Sequence, residues 1–162
     1  IAEGCCQQGM QMNAVELGAW SSNWLWGLPL IVLNVVIHVV GLGLINERVV
    51  RVLGGTMQRR RFMPTFAVVM SVIVVLATIL HAVEAAIWAI VYRLLGALPD
   101  SKSAMLYSLG AITTYGHANL FLEDQWKMMG ALEALNGMML FGLTTAFLFA
   151  RIEKLWLLGR RE

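Results

Sequence analysis

Few strongly polar side chains lie inside the apolar stretches of this chain, and several of them are paired at helical spacing. His81 and Glu84 are three apart, Asn34 and His38 four apart, and Glu133 and Asn136 three apart, so each pair shares one helix face. An acid in such surroundings is costly and is expected to face a protein interior with a polar partner. The bland account of all three pairs is polar packing between helices. A histidine could also carry a proton or, with further ligands, a metal ion. No second ligand pair accompanies Asn34 and His38, so they are read as hydrogen-bonding to a neighbouring helix, and no metal or other cofactor is expected. Cys5 and Cys6 are adjacent. They could bond to each other only with strain, so they are read as free thiols. The pairs Met128-Met129 and Met138-Met139 read as gap-filling thioethers rather than copper ligands. Nothing has the pattern of a nucleophile with its base, a phosphate loop or a metal cluster, so no enzyme is read here.

The elements that must position these residues are membrane helices. The chain has 162 residues, 59% hydrophobic and 14% charged, against about 45–50% and 25% in a soluble domain. Trp20, Trp24 and Trp26 precede an uncharged run, Leu25 to Asn46. Indole rings favour the headgroup level, so this marks entry into helix 1, with Pro29 in its first turn and Val15 to Trp20 as a separate interfacial helix. Residues 47–63 form a basic loop carrying Arg48, Arg51, Arg59, Arg60 and Arg61. Beside membrane spans this marks a cytoplasmic side, not nucleic-acid binding. Pro64 opens helix 2, which Gly96 to Asp100 ends. Ser103 to Thr114 is apolar but only 12 residues long, too short to cross a bilayer. The polar stretch Gly116 to Lys127 follows, and then Met128 to Ala150 runs 23 residues with one charge, Glu133. At 1.5 Å per residue that run covers roughly 34 Å. A short helix, a polar loop and a full span outline a re-entrant pore loop, which needs burial in protein or contact with water.

This stretch resembles the pore domain of the two-transmembrane potassium-channel family. Thr113-Thr114-Tyr115-Gly116-His117-Ala118-Asn119 stands where the family has the filter T-T-V-G-Y-G-D, and Asn136-Gly137 where it keeps a hinge glycine. Leu140 to Ala146 resembles its F-G-L-x-T-A segment, and likeness continues upstream through His81-x-x-Glu84-x-x-x-Trp88-Ala89 and Gly96 to Asp100. Roughly residues 66–152 are covered, about half the chain. The resemblance implies a homotetramer in which the carbonyls of Thr114, Tyr115, Gly116 and His117 line an axis that potassium can occupy, with Gly137 and Gly142 as gating hinges. His117 would brace the filter sideways, or titrate. Such a backbone needs unusual φ at alternate residues, which suits glycine. Ala118 in place of the second glycine would cost about 1–2 kcal/mol in the left-handed region, which points to a wider outer filter. Glu123 and Asp124 would gather cations at the mouth.

Nine of the 12 basic residues lie in 47–63 and 151–162, with three of the 10 acidic ones. The positive-inside rule then puts the N-terminus and pore loop outside and the C-terminus in the cytoplasm. The expectation is an all-α membrane protein with three transmembrane helices and a re-entrant pore helix. Residues 1–63 would form an accessory part that packs outside the pore, and 64–162 a tetrameric pore domain. It would sit in a bacterial inner membrane as a passive cation channel of weak potassium preference. The alternative from another class is a non-conducting accessory subunit of a larger membrane assembly.

Overall fold

The computed structural model describes residues 2–53, 62–116 and 119–160, and among these every long element is an α-helix. They are α1 (Ala2–Leu53), α2 (Phe62–Leu94), α3 (Ser101–Ile112) and α4 (Lys127–Arg160), with one 3-10 turn at Asp124–Trp126 before α4. Three stretches are long and apolar enough to cross a membrane: Trp20–Val49, Met63–Leu94 and Asp124–Lys154. Their outer faces carry exposed Val32, Val36, Val68, Val75 and Ile79, as expected of side chains that meet lipid rather than water.

Three expectations change. The interfacial helix and helix 1 are one continuous helix of 52 residues. Pro29 lies inside it rather than in its first turn. It removes one backbone hydrogen bond, a loss that transmembrane helices tolerate. The short helix begins two residues before its expected start. Asp100 is its N-cap and accepts a hydrogen bond from the Ser103 backbone N–H at 2.9 Å, satisfying one of the orphan donors of the first turn. The hydrogen bonds from Ser103 also hold the exposed Asp100 carboxyl below the usual carboxylate range. Gly96, at φ +68°, ends the preceding helix, and Arg93 donates to the carbonyls of Leu98 and Pro99 in the turn.

The described residues form two compact units. The first comprises Ile1–Leu33 and Ala85–Gly137. Its core joins Leu30 of α1, Trp88 and Tyr92 of α2, Ala104 of α3 and Met129 and Leu132 of α4. Gly27 gives Leu132 its place, since a Cβ there would meet Leu132 Cδ1 at 2.6 Å; small residues at such points allow close helix approach. The second unit comprises Asn34–Glu84 and Met138–Glu162, and in it Val49, Val69 and Ile73 pack with Ile45, Leu76 and Phe147.

Polar side chains tie helix 1 to its neighbours. In the first unit Asn23 Nδ2 donates to the Gln125 carbonyl at 2.6 Å, and the Met129 N–H donates back to Asn23 Oδ1 at 3.1 Å. In the second, Arg151 donates to Asn46 Oδ1 at 2.5 Å. The Asn23 side chain satisfies an otherwise unpaired backbone N–H in the first turn of α4.

Candidate functional site

The loop after α3 has a backbone that few sequences adopt. The Thr113 N–H and hydroxyl both bond to the Leu109 carbonyl, at 3.2 and 2.6 Å, closing the helix. The Thr114 N–H then reaches the Ala111 carbonyl at 2.9 Å, and the Gly116 N–H reaches back to the Gly110 carbonyl at 3.2 Å. Between them the chain alternates: Thr114 has φ +57° and Gly116 φ +80°, while Tyr115 has none of this. Glycine takes such angles freely, but a β-branched threonine there costs about 1–2 kcal/mol. The neighbouring hydrogen bonds hold it in place. Thr113 to Gly116 and Asn119 are exposed, Tyr115 to 90%. His117 and Ala118 lie outside the described residues. Leu106, Leu109, Thr113, Tyr115 and Asn119 border a concavity of about 450 Å³.

Two features of α4 hold α3 in position. A Cβ on Gly137 would collide with the Ile112 carbonyl oxygen, so the last turn of α3 rests directly on the backbone of α4. Gly137 therefore serves a close approach within a continuous helix, whereas Gly142 has nothing within 4 Å of its Cβ position. One turn before Gly137, the buried Glu133 meets Ser108 of α3 through Oε1 and accepts from the Tyr92 hydroxyl of α2 through Oε2 at 2.7 Å. The Ser108 hydroxyl also donates to the Ala85 carbonyl at 2.6 Å. Three elements thus meet at one carboxyl group. Asn136 is fully buried, and neither polar atom of its amide has a partner. Glu123 and Asp124 are exposed beyond the loop, the first accepting from Gln125 at 3.2 Å and the second paired with Lys127.

In the second unit the structure gathers His38, His81 and Glu84, all buried, with Thr144. His38 Nδ1 lies 2.8 Å from Glu84 Oε1, and the Nε2 atoms of both histidines lie 3.1 Å from the Thr144 hydroxyl. The His81–Glu84 pair is visible in the sequence as an i, i+3 spacing. His38 and Thr144 join it from residues 46 and 60 positions away, which no local pattern reveals. Tyr92 and Ser108 were likewise unmarked. Comparison with protein-family models, with curated proteins and with solved structures gives no match.

Proposed function

We propose that the chain is a passive cation channel, a homotetramer whose pore is lined by the loop after α3. The observation that carries this reading is the alternation of left-handed backbone at Thr114 and Gly116. Alternation of that kind turns successive carbonyls toward one side, the arrangement by which carbonyl dipoles replace the hydration shell of a monovalent cation. The sequence around it resembles the potassium-channel pore domain, with Gly116 at the filter glycine. Three further observations support the reading. The helix ahead of the loop is too short to span a bilayer. It is fixed against the membrane helices by Glu133 and Gly137. Tyr115 and Phe121 expose large aromatic surface, 90% and 70%, that neighbouring copies around an axis would cover.

On this reading the N-terminus and loop face outward and the basic segments lie in the cytoplasm of a bacterium. The carboxylates of Glu123 and Asp124 concentrate cations at the mouth. Potassium passes with weak preference, because Ala118 disfavours the backbone that the outer carbonyls require. Purified protein in liposomes should release potassium and sodium down their gradients and retain a bulky organic cation. Folded tetramers that release neither ion would overturn the proposal and favour the accessory-subunit role.

A further inference from the structure

We infer that His38, His81 and Glu84 form a binding site for one divalent transition-metal ion of the zinc class, clamping α1 to α2 under the support of Thr144. The three residues each offer a ligand atom, and these atoms all lie within 4.8 Å of one another. Zinc bonds of about 2.0–2.2 Å in tetrahedral geometry hold ligand atoms about 3.4 Å apart. The two imidazole Nδ1 atoms stand 2.8 and 3.1 Å from the Glu84 oxygens, each within an ångström of that spacing.

Two orphaned atoms mark the place for a cation. His81 Nδ1 and Glu84 Oε2 are 3.1 Å apart, yet neither has a hydrogen-bond partner. A ring N–H aimed at the oxygen would be bonded at that distance, so the N–H direction misses it. A metal needs the opposite of a straight N–H···O line: two lone pairs converging on a point beside the line that joins their atoms. Buried polar atoms left in this state are costly, and an ion satisfies both at once.

The far side of each ring fits the same assignment. With both Nδ1 atoms on the metal, each Nε2 carries its hydrogen and donates to Thr144 Oγ1, which lies 3.1 Å from both. One hydroxyl oxygen has two lone pairs for two donors. Metal-bound histidines usually make such a second bond, which fixes their tautomer and orientation. Phe141 stacks on His81 with ring centroids 4.3 Å apart, shielding that side from water. Asn34, one turn before His38 on the same helix face, has a fully buried amide with both polar atoms unpartnered. Two nitrogens and a carboxylate suit zinc, and cobalt(II) as its spectroscopic stand-in.

The test uses the full chain in detergent with Cys5→Ser and Cys6→Ser, so that thiols do not contribute. After chelator treatment the protein is dialysed against zinc or cobalt(II) chloride, and bound metal is counted by plasma mass spectrometry. The expected result is one ion per chain, with the intense visible bands of low-coordinate cobalt(II). Glu84→Gln should abolish retention. Thr144→Val, which keeps shape and all three ligands, should weaken affinity about 10–100-fold. If Glu84→Gln does not fold, the Thr144→Val titration decides. Folded starting protein that retains no metal, or metal retained equally by all variants, would overturn the assignment and leave a proton-linked ion pair.

Discussion

Glutamine at position 133 should be accepted, and leucine should not. The Ser108 hydroxyl has one hydrogen and two oxygen neighbours. The Ala85 carbonyl can only accept, so it takes that hydrogen at 2.6 Å. The close contact between Ser108 and Glu133 then needs a hydrogen from the carboxyl group itself. Tyr92 meanwhile gives its hydrogen to the other carboxyl oxygen at 2.7 Å. Glu133 accordingly works as an uncharged acid, donating on one side and accepting on the other. Glutamine offers the same pair, an amide N–H for Ser108 and a carbonyl for Tyr92, and Glu133→Gln should remain within about 1 kcal/mol of the parent. Glu133→Leu fills a similar volume but leaves the fully buried Tyr92 hydroxyl without its acceptor, at a cost of about 1–3 kcal/mol. The cost falls on the joint that holds α3 and its loop. Thermal unfolding in detergent, read with cation flux in liposomes, measures both effects. Equal damage from glutamine and leucine would show that the negative charge of Glu133 is what matters, and the hydrogen count above would be wrong.

Three further outcomes follow from other positions. Gly137→Leu meets the backbone of Ile112, which no rotamer change relieves. It should cost about 3 kcal/mol or more and, on the channel reading, abolish the tetramer that size-exclusion chromatography would otherwise show, while Gly142→Leu, with open space around it, should fold. His117→Tyr combined with Ala118→Gly should raise the potassium-over-sodium permeability ratio in bi-ionic reversal-potential measurements, since it restores the residue types that favour regular outer carbonyls; an unchanged ratio refutes the carry-over. Asp100 has its folded-state pKa lowered by Ser103, so its capping contribution is complete above the usual carboxylate range and fades as pH falls through the lowered value. Asp100→Ala should therefore flatten that part of the acid-unfolding curve followed by circular dichroism.

The spans were legible because a bilayer imposes length and apolarity together, and 128–150 met both with only Glu133 interrupting it. The end of α2 was legible from Gly96 and Pro99, and α3 missed its start by two residues because the decisive cap is the side chain of Asp100. Partners across helices were not legible. The spacing of His81 and Glu84 put both on one face, but nothing local fixes how α1 and α4 turn their faces toward them. His38 was expected to hydrogen-bond to a neighbouring helix and does so, but nothing in its spacing named Glu84 and Thr144 as the partners. Pro29 looked like a helix start because proline suits a first turn, yet the helix runs on through it. Gly137 was read from the resemblance as a point where the helix bends or packs closely, and that Ile112 is what it packs against is a property only of three dimensions.

The cation-channel reading stands or falls most directly on current through purified protein in a planar bilayer. With potassium chloride on both sides, the account predicts discrete unitary currents, carried by cations and lost in Gly137→Leu. A bilayer that receives folded tetramer and stays silent, or passes current carried by chloride, would contradict it.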